Sequence, residues 1–148
     1  MDVRGGSMRA VRVLMRGFVY GTEDEDRVVT TLLRLLGRDQ DAGARSKLTR
    51  SRAKAHHGGE ILLYEGVLKS PKDLRRFFDA LRAESEVFSA LRDGFEQRLD
   101  EHRVLHFRLD KQEAVEGRYG LGSGGDAFNV EVKYESHKGQ PRQGFPFE

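Results

Sequence analysis

The sequence predicts an α+β protein with a single mixed or antiparallel sheet backed by helices. Five short runs alternate apolar with polar residues, which is typical of strands that have one buried face. Between them, apolar residues recur three and four positions apart, which is typical of amphipathic helices. The resulting order is β-α-β-β-α-α-β-β. Strands separated by helices in this order favour one sheet with a helical layer.

Composition restricts the class of protein. The 148 residues are enough to bury one core, although only 37% are hydrophobic. There is no cysteine, which excludes disulfides and Cys-ligated zinc and favours a reducing, cytoplasmic location. No apolar run reaches the roughly 18 residues of a transmembrane helix, so we expect no membrane partner. We predict a disordered leader at residues 1–7, one domain at 8–136 and a flexible tail at 137–148.

The first strand is predicted over residues 9–20 and alternates regularly. Val11, Val13 and Met15 share one face, which we expect to be buried. Arg12 and Arg16 share the other face. Two arginines on one face predict that this side of the sheet is solvated.

A helix is predicted directly after this strand. We assign Thr22 as its N-cap and Glu25 as the second member of a capping box, and Gly37 as the residue that ends it. The alternative, a metal site at the four carboxylates of residues 23–26, is disfavoured because consecutive residues of a helical turn point apart.

A basic strand and residues 60–68 are predicted to form an antiparallel hairpin through the turn at residues 56–59. Two more helices and two more strands follow this hairpin. Ser70 is the predicted N-cap of the next helix and Pro71 its first residue. Residues 102–109 and 127–134 alternate as strands, and the glycine-rich residues 117–125 predict a flexible hairpin loop because they lack a P-loop lysine. The apolar positions of the two helical segments are Leu74, Phe77, Phe78 and Leu81, then Val87, Phe88, Leu91, Phe95 and Leu99.

The charge is concentrated in one short run. Residues 42–59 contain five Lys or Arg residues and no carboxylate, in a chain whose net charge is +2. Every second side chain of a strand lies on the same face. We therefore define a basic stripe on one face, with small residues (Ser51, Ala53, Ala55) opposite. Its members are Arg50, Arg52, Lys54 and His56.

The basic stripe predicts contact with nucleic acid. Residues two apart on a strand are about 7 Å apart, comparable to the spacing of phosphates along one nucleic-acid strand. Such contacts position a nucleic acid without reading its sequence. The alternative is a solvated edge strand whose charges prevent edge-to-edge aggregation.

A second candidate surface lies at the end of the strand at residues 102–109. Arg108, Lys111 and Gln112 could read base edges exposed in single-stranded RNA. The alternative is an internal ion pair of Asp110 with Arg108 or Lys111 that shapes the turn. The full set of candidate RNA-binding residues is Lys47, Arg50, Arg52, Lys54, His56, His57, Arg108, Lys111 and Gln112.

Catalysis and metal binding find little support in the sequence. His56 and His57 are adjacent and so point to opposite faces of a strand, and only Glu60 is near as a further ligand. No pair of residues resembles a nucleophile with its base. We predict no enzyme, no metal and no cofactor.

Two segments resemble a known family. Val-Tyr-Gly-Thr-Glu-Asp-Glu-Asp-Arg-Val at residues 19–28 and Phe-Arg-Leu-Asp-Lys-Gln-Glu-Ala at residues 107–114 are similar to an archaeal family described as RNA-binding. The family was formerly a domain of unknown function and is sometimes labelled exosome-associated. His57-Gly58-Gly59 fits its His-Gly turn, whereas relatives favour His-Ala at Tyr20-Gly21. The resemblance spans residues 8–136. It implies an RNA-linked role and the fold of the large-subunit ribosomal protein that cradles 5S RNA.

These observations together predict a non-catalytic RNA-binding protein, with RNA-processing or ribosomal proteins as further partners. A homodimer is compatible with the sequence. The alternative is an assembly factor whose charged edge strand pairs with a protein and does not touch RNA.

Overall fold

Five strands form one antiparallel sheet in the order β2-β3-β1-β5-β4. The computed structural model describes residues 7–137 except residues 57 and 123. Neighbouring strands pair antiparallel throughout this described part, so the predicted α+β class and single sheet are confirmed. The strands are β1 (Ser7–Val19), β2 (Thr49–Lys54), β3 (Glu60–Leu68), β4 (Val104–Asp110) and β5 (Ala127–His137).

The helices cover one face of this sheet, and the other face is open. Their apolar stripes pack on alternate residues of the strands, among them Val13 and Met15, which are fully buried. The second face carries partly exposed side chains such as Arg12 and Arg16. The helices are α1 (Glu25–Leu35), α2 (Pro71–Arg82), α3 (Ser85–Asp93), α4 (Phe95–Arg98) and α5 (Lys111–Val115), with a 3-10 helix at Ala44–Lys47.

Strand β1 departs from the predicted alternation at its start. Its register against β5 shifts between Ala10 and Arg12, which marks a bulge. Because of the extra residue, the side chains before the bulge alternate between the two faces of the sheet in the opposite sense from that predicted. Val11 is therefore only half-buried, whereas Ala10 and Met8 lie in the core. The prediction that Val11 shares the buried face was wrong for this reason.

Helix α1 has a different N-cap from the predicted one. The Asp24 carboxylate accepts a hydrogen bond from the backbone N–H of Arg27 at 3.3 Å, and the helix begins at Glu25. Thr22 therefore lies outside the helix, and the predicted capping box of Thr22 with Glu25 was wrong. Any of several consecutive polar residues can cap a helix, so the local sequence left the start ambiguous by two positions.

The end of α1 is as predicted. Gly37 has a φ of 76°, the left-handed conformation that favours glycine. Its N–H donates to the carbonyl of Arg34, and the N–H of Arg38 donates to the carbonyl of Leu33. These two bonds form a Schellman motif, which satisfies carbonyls at the helix end.

Helix α2 confirms its predicted cap, and the following helical segment is divided. Ser70 accepts a hydrogen bond from the N–H of Asp73 at 3.1 Å, and Pro71 opens the helix. The next segment breaks at Gly94 into α3 and the single turn of α4. Its apolar residues are buried except for Phe88, which is partly buried against the core.

The glycine-rich residues 117–125 partly follow the outer edge of β4. The N–H of Asp110 donates to the carbonyl of Gly120 at 2.8 Å, and that of Gly122 donates to the carbonyl of Arg108 at 2.9 Å. Leu109 forms an isolated bridge with Leu121. This part of the predicted loop is thus held against the sheet, and it shields the β4 edge.

Strand pairing reaches the predicted ends of the domain. Ser7 of β1 pairs with His137 of β5, so each strand extends one residue into the segments predicted as leader and tail. The rest of both segments, residues 1–6 and 138–148, lies outside the described residues.

Candidate nucleic-acid interface

The basic stripe lies on an edge strand. Strand β2 pairs with β3 alone within the described chain, and all six of its residues are exposed. Arg50 lies opposite Tyr64, which is buried beneath the helices. The stripe therefore projects on the helical side of the sheet, beside the helical layer.

Arg50 is held in place by two side chains. Its Nε donates to the hydroxyl of Tyr64 at 3.0 Å and to the carboxylate of Glu25 at 3.2 Å. The Tyr64 hydroxyl also donates to that carboxylate. These hydrogen bonds, that of Tyr64 first, raise the pKa of Arg50, and the hydrogen bond from Tyr64 contributes most to lowering the pKa of Glu25. The guanidinium is thus oriented while its side chain stays 40% exposed.

The other members of the stripe are less constrained. Arg52 lies 3.7 Å from the Glu60 carboxylate, with both side chains about 60% exposed, and such a pair contributes little. Lys54 is exposed and has no ion pair within the described part of the chain. His56 is exposed but lies in the turn after β2, so strand alternation does not place it in the stripe. The prediction that His56 lies on the strand with the rest of the stripe was therefore wrong.

Two further predicted residues flank the strand. Lys47 is exposed at the end of the 3-10 helix, two residues before β2. His57 lies outside the described residues.

The acidic start of α1 lies beside the basic run, which sequence reasoning did not foresee. Arg45 lies 2.6 Å from Asp26 and 3.8 Å from Glu25, and Glu25 also contacts Arg50. Part of the positive charge is therefore offset locally. Hydrogen bonding to Asp26 is the largest cause of the raised pKa of Arg45.

Lys111 does not lie on a surface. Its side chain is 1% exposed, and Nζ donates to the carbonyl of Phe18 at 2.6 Å and to Glu23 at 2.8 Å. Asp126 lies 3.2 Å away, and the ammonium lies 4.9 Å from the centre of the Tyr20 ring. The ammonium is already surrounded by protein, so this position contradicts the predicted base reading by Lys111.

The segment around Lys111 shapes the turn, though by different contacts from those predicted. Asp110 accepts a hydrogen bond from the N–H of Glu113 at 2.9 Å and so caps α5. In the described structure it forms no ion pair with Arg108 or Lys111. Gln112 is exposed on α5.

Arg108 lies far from the basic stripe. It sits on β4, opposite Asn129 of β5, on the open face of the sheet. Strands β2 and β4 are the two edges of the sheet, separated by four interstrand spacings, or about 19 Å. The structure therefore does not combine Arg108 with Arg50 and Arg52 in one patch.

The described structure contains neither a cluster of metal ligands nor a membrane-spanning helix. Over residues 7–137 without 57 and 123, no three His, Asp or Glu side chains are grouped to hold a metal ion. No helix in the same part of the chain is long and apolar enough to span a bilayer.

Comparison with known proteins identifies the family. Residues 12–134 match the family model described as RNA binding. The chain belongs to this RNA-binding family. The chain is also 25% identical over 133 residues to the RNA-binding protein PAB1135 of Pyrococcus abyssi, covering 88% of this chain and 86% of that protein.

Solved structures of relatives have the same fold. The DUF54 protein Mth689 of Methanothermobacter thermautotrophicus is 34% identical, with a TM-score of 0.71, over 86% of this chain and 87% of that one. Protein AF2318 of Archaeglobus fulgidus is 28% identical, with a TM-score of 0.71, over 84% and 86%. The predicted resemblance to the archaeal family is confirmed. The likeness to the 5S RNA-binding ribosomal protein stays a prediction.

Proposed function

We propose that this protein binds RNA without catalysing a reaction, through phosphate contacts made by the basic stripe on β2. The supporting observation is an edge strand whose six residues are all exposed and which presents Arg50, Arg52 and Lys54 on one side. Lys47 and His56 extend this surface at its two ends. We infer a cytoplasmic setting from the absence of cysteine, and a role in RNA processing or ribosome-related assembly from the family.

RNA phosphates can replace the carboxylates that now contact the stripe. The pairs of Arg50 with Glu25 and of Arg52 with Glu60 are substantially exposed, so water already screens them. Exchange of one exposed anion for another costs little. Binding also releases counterions from the RNA, which favours the exchange.

The test is a triple variant, Arg50→Gln, Arg52→Gln and Lys54→Gln. We expect its affinity for every single-stranded RNA tested to fall by about tenfold or more at low salt, because phosphate contacts carry no sequence information. The matched control carries Lys72→Gln, Arg75→Gln and Arg82→Gln, three exposed cations of α2. Fluorescence anisotropy measures binding, and circular dichroism checks that both variants fold.

Equal RNA binding by the stripe variant and the wild type would refute the proposal. The second candidate function, pairing with a protein, would then follow from the exposed edge of β2. Purification from native extract, with and without ribonuclease, separates the two functions. A partner that pairs with β2 stays bound after ribonuclease treatment, whereas partners held through RNA are lost.

A further inference from the structure

A pocket of about 520 Å³ lies on the open face of the sheet, at its β4 edge. This is the opposite face and the opposite edge from the basic stripe. The volume is within the range of small-molecule sites. Its polar lining comes from α4, β1, β4 and β5, through Arg98, Arg16, His106, Arg108, Asn129 and Glu131.

The lining has an excess of positive charge. Glu131 is occupied by Arg16, whose Nη1 lies 3.2 Å from its carboxylate, and Glu65 contacts Arg16 from the other side at 2.7 Å. Arg98 and Arg108 have no carboxylate partner in the described part of the chain. Arg108 donates one long hydrogen bond, at 3.3 Å, to the carbonyl of Gly124. Two guanidinium groups are thus left for an external anion.

Two further polar side chains line the pocket, His106 and Asn129. His106 lies two residues before Arg108, and its Nε2 is 2.8 Å from the carboxylate of Asp100, which fixes the ring. Asn129 lies directly across from Arg108 in the strand register and is half-buried. Its amide makes no side-chain hydrogen bond to the described residues. It can therefore offer both a donor and an acceptor to a ligand.

We propose that this pocket binds a single nucleotide, with the phosphate between Arg98 and Arg108 and the base edge at Asn129. Guanidinium groups match the geometry of phosphate oxygens, and an asparagine amide pairs with the edge of a base. An RNA strand and a free nucleotide present the same chemistry. If the bound nucleotide belongs to an RNA strand, this inference rests on the proposed RNA binding. If the nucleotide is free, it does not.

The test is a nuclear magnetic resonance titration of the full chain. AMP and UMP supply a free nucleotide, adenosine supplies the base without the phosphate, and a short RNA supplies the strand. We expect the His106 ring and Asn129 side-chain signals to shift with phosphate-bearing ligands and not with adenosine. In Arg98→Gln/Arg108→Gln, the dissociation constant should rise by about tenfold or more. The control is Arg75→Gln/Arg82→Gln on α2, with the same change in charge.

Each outcome decides the matter. Shifts with AMP or UMP support a pocket that takes free nucleotides, and shifts with RNA alone support an RNA strand as the source. Absence of shifts at His106 and Asn129 with all ligands overturns the proposal, as does unchanged binding in the double variant. The triple stripe variant, titrated in parallel, separates the two surfaces. If it loses RNA affinity while these signals fail to shift, the pocket fails and the stripe stands.

Discussion

A single buried lysine connects distant parts of this chain. The Lys111 ammonium contacts the carbonyl of Phe18 at the end of β1, Glu23 before α1, and Asp126 before β5. A buried cation is tolerated only when partners of this kind replace its hydration. Lys111 therefore joins the ends of two central strands, and its role is structural.

Replacement of Lys111 by Met should destabilise the protein by about 2–3 kcal/mol. Methionine keeps the length of the side chain but leaves Glu23 and Asp126 without their cation. Because these carboxylates are partly exposed, the expected loss of stability does not exceed about 3 kcal/mol, the lower end of the range for breaking a buried ion pair. Urea denaturation measures the loss. The exposed neighbour Gln112→Ala should change stability by less than about 0.5 kcal/mol, and an equal loss in both variants would argue against the assigned role.

Asp100 gives a second prediction at the scale of one residue. The hydrogen bond to His106, followed by those from the N–H groups of Val104 and His102, lowers its pKa from 3.8 to about 2. A carboxyl whose pKa is lower in the folded state stabilises the protein above its ordinary pKa. That contribution is lost as the pH falls from about 4 to about 2.

The variant Asp100→Ala should therefore be less stable than the wild type at pH 6. The difference should shrink between about pH 4 and about pH 2, the range between the ordinary pKa of the carboxyl and its pKa in the folded protein. Denaturant titrations over this pH range measure it. Asp93→Ala, which removes a largely exposed carboxylate, serves as the control and should show no such trend. A difference for Asp100→Ala that stays constant to pH 2 would contradict the assignment.

At the scale of elements, glycines decide how closely the layers approach. A Cβ at Gly17 of β1 would lie 2.6 Å from Cε1 of Phe128, and one at Gly66 of β3 would lie 2.5 Å from Cδ1 of Leu36. Phe128 and Leu36 are both fully buried. These glycines let large core side chains lie directly on the sheet backbone.

Substitution of Gly17 by Ala should destabilise the fold by about 1–3 kcal/mol, because the added methyl group overpacks the site against Phe128. Thermal unfolding followed by circular dichroism measures the change. At Gly124 an added Cβ has no neighbour within 4 Å, so Gly124→Ala is a suitable control and should leave the melting temperature nearly unchanged. If Gly17→Ala melts like the wild type, Phe128 is able to move aside.

At the scale of the whole molecule, the small net charge of +2 conceals an uneven distribution. The basic run, which comprises the 3-10 helix and β2, lies beside the acidic residues of α1, and the pocket arginines lie at the other edge of the sheet. These two surfaces face different directions. A short RNA that binds the stripe therefore need not reach the pocket.

This arrangement predicts the salt dependence of RNA binding. Contacts to about four phosphates of single-stranded RNA give a slope of log K against log salt near −3. The triple stripe variant loses about three of these contacts, so its slope should be close to −1. Binding isotherms between about 50 and 200 mM salt measure both slopes. Equal slopes for the two proteins would show that the stripe does not contact phosphates.

The sequence by itself determined the order of the five strands and of the three longest helices, the apolar stripes, the Ser70 and Gly37 caps and the position of the basic run, whereas the short helices α4 and α5 were not in the predicted order. These features depend on residues a few positions apart, whose periodicity follows from helix and strand geometry. The sequence also showed the family resemblance, because the two short segments at residues 19–28 and 107–114 are similar to the family.

Only the tertiary structure decided which residues share a surface. The partners of Lys111 lie as far as 93 positions away in sequence, so local spacing left both an exposed base-reading role and an internal ion pair open for this lysine. The β1 bulge reversed the faces of Ala10 and Val11, because one extra residue shifts a period of two. Arg98 and Arg108 line the same pocket because the fold brings α4 to β4. Contacts of this kind arise from the packing of segments that are distant in sequence, whereas periodicity depends only on residues a few positions apart.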